Sequence, residues 1–269
     1  MKSHLLLLAG MALAPFTHAA SLQSATVTRV INDVRIYSPG ADGRTASTGD
    51  VIRGRNSLHT GRRSRSELRF QDNTITRLGA NSIFSFAQGT RDLQLEQGTL
   101  LLQVPRNAGG ARIRTATVTA SITGTTILME FFAGKWVKII VLEGRLEAFL
   151  NTVGRRVTIL AGQMLVMRAN DRRVPQPVDI DLKRNVETSP LASARLFGAL
   201  PAAAAEAIAN AIAAQQRQIA AGRLVRTNVL NPRHGSRAEV NQRRIRDLGR
   251  DFPVRLPNFP DEPNSPGGP

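Results

Sequence analysis

Residues 92–104 read DLQLEQGTLLLQV, and this stretch decides the fold class. Leu93 and Leu95 alternate with polar residues before Gly98, and after Gly98 apolar residues again recur at every second position. A period of two is typical of strands with one buried face. A glycine between two such runs lets the backbone reverse or adopt a positive φ while the apolar phase is kept. The stretch therefore predicts two β-strands joined at a glycine corner.

The same alternation recurs over residues 25–168. Short runs with a two-residue period are separated by turn signals, most of which contain glycine. About a dozen strands are expected, and no segment of this region has the periodicity of a long helix. The prediction is an all-β domain, built either as a sandwich or as a coil of stacked strands. The glycines predicted to form its structural turns are Gly49, Gly61, Gly98, Gly124, Gly144 and Gly162.

The pattern changes after the strand-rich region. Residues 169–189 are rich in proline and aspartate, and we predict an extended linker. Residues 190–222 contain an Ala-rich helical segment, in which Pro201 suits the first turn of a helix. Residues 223–269 are basic and rich in proline, so a largely disordered tail is predicted.

The N-terminus has the parts of a secretory signal peptide. Lys2 precedes an apolar run over residues 5–14, and a small-x-small pattern ends at Ala19. The run is about half as long as a membrane-spanning helix requires. We therefore expect residues 1–19 to be removed, with cleavage after Ala20 as the alternative. The expected product is exported to the periplasm or beyond and has no transmembrane segment.

The composition excludes several kinds of chemistry. The chain has 269 residues and no cysteine, which excludes disulfides, iron–sulfur clusters, cysteine-rich zinc sites and thiol catalysis. It has one Trp and one Tyr, too few for an aromatic platform that stacks bases, so nucleic acid is not an expected partner. The usual sequence motifs for zinc, calcium, nucleotides and dinucleotides do not occur. We predict no metal site and no cofactor.

Few residues are candidates for catalysis. Glycoside hydrolysis requires two nearby carboxylates, and Glu143 and Glu147 are close in sequence. Solvated charges in ion pairs explain both residues better, because Glu147 has the outward phase of its strand. His59 is expected at a surface turn, and no G-x-S-x-G motif supplies a serine for it to activate. The chain is therefore predicted not to be an enzyme.

Positive charge favours anionic partners. The formal net charge is +16, and the densest basic cluster lies between residues 53 and 69. The alternative is that these arginines are scattered and solvated, because the turn at Thr60-Gly61 resets which face each residue occupies. The residues predicted to form an anion-binding face are Arg53, Arg55, Arg62, Arg63, Arg65 and Arg69.

A series of short motifs resembles the FecR-type domain, a periplasmic module named after the ferric-citrate regulator. The motifs occur in the order expected for that family over residues 25–168. Asn73 stands where the family commonly has glycine, and asparagine also tolerates left-handed geometry. In chain order the motifs are Gly49-Asp50-Val51-Ile52, Leu58-His59-Thr60-Gly61, Leu68-Arg69-Phe70-Gln71-Asp72-Asn73, Leu93-Gln94-Leu95-Glu96-Gln97-Gly98-Thr99-Leu100, Thr115-Ala116-Thr117 with Ile122-Thr123-Gly124-Thr125, Val141-Leu142-Glu143-Gly144-Arg145-Leu146, and Val157-Thr158-Ile159-Leu160-Ala161-Gly162-Gln163.

The resemblance implies a β-solenoid-like or twisted β-sandwich domain that binds without catalysing. Membrane-bound regulators of the family join a cytosolic sigma-factor-binding segment, a transmembrane helix and a periplasmic domain, and relay a signal from an outer-membrane receptor. Here the signal-peptide pattern stands in place of the cytosolic segment. We therefore expect an exported module that binds, scaffolds or senses through contacts with an envelope protein, made at exposed strands and through the Ala-rich helix. The alternative is a binder of anionic polysaccharide or lipid head groups through the arginine-rich face.

Overall fold

The computed structural model describes residues 21–224 and the backbone of residues 229–230. The predicted signal peptide, residues 1–19, lies outside the described residues. So does nearly all of the predicted tail, in which Val229–Leu230 form a short strand.

Eighteen strands and three α-helices follow one another along the described chain. Residues 24–168 hold sixteen of the strands and no α-helix, which confirms the all-β prediction with more strands than expected. The helices are α1 (Leu182–Thr188), α2 (Ala194–Phe197) and α3 (Ala202–Ala220). The strands are β1 (Ser24–Ile31), β2 (Val34–Tyr37), β3 (Arg44–Thr45), β4 (Val51–Arg53), β5 (Ser57–Thr60), β6 (Arg65–Phe70), β7 (Ile75–Leu78), β8 (Ile83–Phe86), β9 (Asp92–Val104), β10 (Ala111–Arg114), β11 (Val118–Ile122), β12 (Thr125–Phe132), β13 (Trp136–Glu143), β14 (Arg145–Leu150), β15 (Arg155–Leu160), β16 (Gln163–Arg168), β17 (Val178–Ile180) and β18 (Val229–Leu230).

The strands form two open layers that pack face to face as a sandwich. The inner sheet has the order β4-β1-β6-β7-β9-β12-β13-β16-β17-β18. The outer sheet has the order β3-β2-β5-β8-β9-β10-β11-β14-β15. Neighbouring strands are antiparallel except β9 and β10. The two layers are continuous through β9, which belongs to both.

Gly98 is the point at which β9 passes from one sheet to the other. Residues 93–97 pair with β8 in the outer sheet, and residues 98–104 pair with β12 in the inner sheet. Gly98 has a φ of +99° inside this continuous strand, next to a register irregularity between Leu95 and Gln97, and does not form the predicted turn. A side chain there would overlap Ser82, whose hydroxyl accepts a hydrogen bond from the Thr99 N–H at 3.0 Å.

The other predicted turn glycines lie between consecutive strands. Gly49, Gly124, Gly144 and Gly162 have a positive φ. Gly61 does not, and there the small size of glycine is what matters, because an added Cβ would lie 2.9 Å from the Asp33 carboxylate.

The larger apolar core lies between the two sheets. In the inner sheet Leu100 and Leu102 of β9 point into it, as the alternation predicts. In the outer sheet Leu93 and Leu95 of the same strand do so. Full burial of each such side chain stabilises the fold by about 1.5–3 kcal/mol.

A second apolar core lies on the opposite face of the inner sheet, under the helices. Leu101, Leu128 and Ile140 are neighbours across β9, β12 and β13. Ala204 and Ile208 of α3 cover them together with residues of the 191–200 segment. The central strands are therefore buried on both faces, whereas their two-residue period predicted half-buried strands. Consecutive apolar residues are typical of such strands.

Residues 169–189 are not an extended linker throughout. β17 pairs with β16, and α1 begins after Asp181, whose carboxylate accepts a hydrogen bond from the backbone N–H of Arg184 at 2.9 Å. Ile180 and Leu182 are buried in the second core, and this burial favours regular structure. The amide of Gln215 in α3 ties the junction, donating to the Ile180 carbonyl at 2.8 Å and accepting from the Leu182 N–H at 3.0 Å. Within residues 21–224, no helix combines the length and apolar character needed to cross a membrane.

A buried ion pair joins the inner sheet to the helical layer. The Arg77 side chain is 1% exposed, and its Nε donates to the Glu67 carboxylate at 2.8 Å. Its Nη1 donates to the Leu191 carbonyl at 2.9 Å and its Nη2 to the Gly198 carbonyl at 3.1 Å. The guanidinium also lies 5.0 Å from the centroid of the Phe197 ring. One side chain of β7 thus holds the segment between α1 and α3 against the sheet.

Replacement of Arg77 by methionine should be strongly destabilising. It leaves Glu67 buried without its partner and leaves two carbonyls unpaired, which costs about 3–5 kcal/mol. Urea unfolding measures the loss. The double variant Glu67→Gln/Arg77→Met removes the uncompensated charge and should recover part of the stability. A loss below about 1 kcal/mol for Arg77→Met alone would show that the pair behaves like a surface pair.

Gly98→Ala should destabilise the chain by about 2–4 kcal/mol, because strain at positive φ adds to overlap with Ser82. Gly40 is the matched control, since it has a φ of +73° and open space where a side chain would go. Gly40→Ala should therefore lose only about 1–2 kcal/mol. Equal losses in urea unfolding would mean that the close approach of Ser82 to β9 has no consequence for stability.

Candidate interaction surface

The six arginines of the predicted anion-binding face lie at two different ends of the inner sheet. Arg53 ends β4 and Arg55 occupies the turn after it. Arg62 and Arg63 form the turn between β5 and β6. Arg65 and Arg69 are on the same face of β6, but four residues separate them by about 13 Å.

The register of β1 shows how the cluster is divided. Arg53 lies opposite Ser24 and Arg69 opposite Thr26, near the start of β1, whereas Arg65 lies opposite Ile31, at its end. Arg62 and Arg63 are at the same end of the inner sheet as Arg65. The reason is that β4 and β6 are both antiparallel to β1. The turn that follows β4 and the turn that precedes β6 therefore lie at opposite ends of the inner sheet. The six arginines therefore form two groups at opposite ends of the inner sheet, and anion binding stays a prediction.

The two glutamates considered for hydrolysis are also apart. Glu143 is buried at the end of β13 and its carboxylate accepts a hydrogen bond from the Thr126 hydroxyl at 2.8 Å. Its position opposite Thr126 places it on the face of the inner sheet that points away from the outer sheet. Glu147 is exposed on the far face of the outer sheet, where Arg145 pairs with it at 3.2 Å. The expectation of solvated ion pairs therefore holds for Glu147 and is corrected for Glu143.

His59 lies within β5 rather than at a turn. Its ring centroid is 4.2 Å from that of Tyr37, and its Nε2 is 2.9 Å from the Ser57 hydroxyl. Partial burial lowers the pKa of His59, so the neutral imidazole is favoured. The alternation of β5 places Ser57 and His59 on the same outward face. Their spacing of two residues in a strand is a signal from which this contact could have been predicted.

The far face of the outer sheet is not covered by any element that the structure describes. At the edge of the sheet formed by β15, the exposed side chains come from β15 and its neighbour β14. Phe149 is 40% exposed and Leu160 is 48% exposed, which is unusual for large apolar side chains in this chain. We name this surface the β14–β15 face; it consists of Arg145, Glu147, Phe149, Arg156, Thr158 and Leu160.

β15 is the longest edge strand in the described part of the chain. The Leu160 N–H donates to the Gln163 side chain at 3.0 Å, and the Ala161 N–H donates to the Gly144 carbonyl. Backbone groups alternate in direction along an antiparallel strand. The N–H and C=O of Arg156 and Thr158 therefore point away from β14. Among the described residues they have no backbone partner, so β15 offers an open hydrogen-bonding edge.

Residues 56–147 match the family model described as FecR protein. The chain therefore carries a FecR domain. This domain extends from the start of β5 into β14, so it includes β9 and both residues of the buried ion pair. The strands that complete the two sheets, and the helical layer, lie outside the matched residues.

Solved structures that match the chain include two of a candidate anti-sigma factor from Parabacteroides distasonis ATCC 8503. The structure at 1.65 Å resolution is 13% identical with a TM-score of 0.42, and the match covers 46% of this chain and 59% of that one. The structure at 2.50 Å resolution is 9% identical with a TM-score of 0.41, and the match covers 67% of this chain and 99% of that one. The chain thus spans 59% of the length of the first of these relatives. A comparison with curated proteins finds no match.

Asn73 adopts the left-handed geometry that the sequence predicted. It has a φ of +63° in the turn between β6 and β7, a conformation that glycine adopts most easily and asparagine also tolerates. The turn between β6 and β7 therefore accommodates asparagine.

The buried Glu143 should make the stability of the FecR domain depend on pH. Burial raises the pKa of Glu143, although the Thr126 hydroxyl and the charge of Arg106 oppose the shift. As pH rises, the unfolded chain releases this proton first, so stability falls between the ordinary pKa of about 4.5 and the folded pKa.

Glu143→Gln keeps an acceptor for Thr126 and removes the charge. The variant and the wild type should melt alike at about pH 4, and the variant should melt at a higher temperature at about pH 7. Thermal unfolding at the two pH values checks this. A melting temperature that is lower for the variant at both values would contradict it.

Proposed function

We propose that this chain is an exported regulatory module that senses or signals in the cell envelope through protein contacts and not through catalysis. The FecR domain at residues 56–147 supports a regulatory function. The signal-peptide pattern of residues 1–19 supports export to the periplasm or the cell exterior. The partner is an envelope protein.

The observation that carries this proposal is the open edge of β15, beside which two large apolar side chains are exposed. An extended segment of the partner adds to the sheet as a further strand, using the outward backbone groups of Arg156 and Thr158. Phe149 and Leu160 project beside that edge and give the added strand apolar contacts. Arg155 and Arg156 are charged residues of the kind that protect an edge against unspecific pairing, so they favour a selected partner.

The Ala-rich helix is a poorer contact site than we expected. Its apolar stripe, with Ala204 and Ile208, is buried against the inner sheet. Ala203, Glu206 and Asn210 on its exposed side are small or polar. Deletion of α3 would expose the second core, so loss of a partner after that deletion would not identify a contact.

Binding of anionic glycans or lipid head groups through the six arginines stays a prediction, and one compact anion cannot contact all of them. The six arginines occupy two ends of the inner sheet, about 13 Å apart at Arg65 and Arg69.

Thr158→Pro should strongly reduce capture of the partner while leaving the fold intact. Proline removes the outward N–H of Thr158 and places its ring where a further strand would approach, but the ladder with β14 does not use that N–H. Capture of the partner from envelope extract, identified by mass spectrometry, should fall about tenfold or more.

Thr158→Val is the matched control, because it changes the side chain and keeps the backbone edge. It should capture the same protein as the wild type. Val157→Pro is the control for folding, because the Val157 N–H faces β14 and its loss should cost about 3 kcal/mol. Undiminished capture by a folded Thr158→Pro variant would refute strand addition at β15.

A further inference from the structure

The hairpin between β12 and β13 ends in a group of aromatic and basic residues. Phe132 and Trp136 lie opposite each other, with ring centroids 4.9 Å apart. Residues 133–135 form the exposed turn between them. Phe132 is 36% exposed, and Trp136 is the single tryptophan of the chain. We name residues 132–136 the hairpin tip.

The aromatic pair is separated from the second core by an ion pair. On this face of the inner sheet three successive cross-strand pairs lead from the helices to the tip: Leu128–Ile140, Glu130–Lys138 and Phe132–Trp136. The first pair is covered by the helical layer. The second is a half-buried ion pair with an N–O distance of 2.9 Å, and its ammonium also lies 5.4 Å from the Trp136 ring. The two aromatic rings belong to neither apolar core. Core packing therefore does not account for aromatic residues at this position.

Basic residues surround the hairpin tip. The loop that follows β16 lies beside it, because the Ala169 N–H donates to the Lys135 carbonyl at 3.0 Å. Among the surrounding residues Lys135, Arg172 and Arg173 are exposed. Within residues 132–138 and 168–174 the basic residues are Lys135, Lys138, Arg168, Arg172 and Arg173, and the acidic residue is Asp171.

The positive charge continues along the same end of the inner sheet. The turn between β5 and β6 contains Arg62 and Arg63. It lies at the same end of the inner sheet as the hairpin tip, because the Gly61 carbonyl in this turn accepts a hydrogen bond from the Asn81 N–H, just after the end of β7. β7 and β9 lie between β6 and β12, so the two basic groups are at least roughly 14 Å apart across the strands. The charge is spread along an edge and does not surround a pocket.

We propose that this end of the inner sheet docks on the surface of an anionic lipid bilayer, with the hairpin tip entering the headgroup region. Phe and Trp are the side chains that gain most at the boundary between headgroups and acyl chains. Lysines and arginines around them are attracted to anionic headgroups. A flat charged surface can meet Lys135, Arg172 and Arg63 at once, which a compact ligand cannot do. The proposal is independent of strand addition, because β15 belongs to the other sheet.

Trp136 supplies a local probe for the test. The emission of the full chain is measured with vesicles of phosphatidylcholine alone and with vesicles that also contain phosphatidylglycerol. We expect a blue shift, and quenching by brominated acyl chains, with the anionic vesicles only, and both should weaken as salt is added. Lipid binding by another part of the chain would leave the emission of this residue unchanged, since it is the single tryptophan.

Variants of the exposed residues test the contributions of positive charge and of aromatic side chains to vesicle binding. Lys135→Ser, Arg172→Ser and Arg173→Ser should each weaken vesicle binding roughly fivefold, and together on the order of 100-fold. Phe132→Ser should weaken it at least about tenfold. Phe149→Ser is the matched control, because it is a similarly exposed phenylalanine on the far face of the outer sheet, and its binding should equal that of the wild type. Melting temperatures close to that of the wild type establish that the variants are folded.

The proposal is overturned if anionic vesicles produce no blue shift or if phosphatidylcholine vesicles produce the same one. It is also overturned if a soluble polyanion such as dextran sulfate gives the full shift while brominated lipids do not quench. That outcome would assign the patch to an acidic glycan or an acidic protein. Since Thr158→Pro leaves the hairpin tip unchanged, vesicle binding by that variant separates a failure here from a failure of the proposed protein contact.

Discussion

The central strands of the inner sheet are apolar on both faces, and the rest of the structure follows from the need to cover both of them. The outer sheet covers one face through the core that contains Leu100 and Leu102. The other face, with Leu101, Leu128 and Ile140, is covered by the helices. If the helical layer were absent, a continuous apolar surface would be exposed to water, which is unfavourable for a folded chain. The helices are therefore part of the same folded unit as the FecR domain, although they lie outside its matched residues.

Buried polar groups determine how the helical layer sits. A purely apolar interface would permit the helices to slide, whereas the Arg77 guanidinium has directional partners on both sides. It pairs with Glu67 in the sheet and with carbonyls at Leu191 and Gly198 in the helical layer. The second oxygen of Glu67 is occupied by the Thr28 hydroxyl at 2.7 Å. Full hydrogen bonding is what makes a buried charge tolerable.

The covered face also decides where contacts with other molecules are made. With the central part of both faces of the inner sheet covered, the exposed surfaces of the described chain include the far face and edge of the outer sheet and the ends of the inner-sheet strands. The β14–β15 face joins an open backbone edge to the exposed side chains of Phe149 and Leu160. The hairpin tip instead joins two aromatic rings to a spread of positive charge. These surfaces differ in chemistry, so one suits an extended protein segment and the other suits a charged plane.

Local sequence determined the elements of this protein. The two-residue period predicted the strands, the Ala-rich segment predicted α3, and the family motifs with Asn73 predicted a FecR-type domain, because each of these depends on neighbours along the chain. Tertiary structure decided the rest. Gly98 lies inside a continuous strand and not at a turn, because β9 pairs with different strands on its two halves. The arginines of residues 53–69 lie at two ends of the inner sheet, because β4 and β6 both run antiparallel to β1. Arg77 holds the helical layer against the sheet by donating to carbonyls more than a hundred residues away, and no local sequence pattern specifies these contacts.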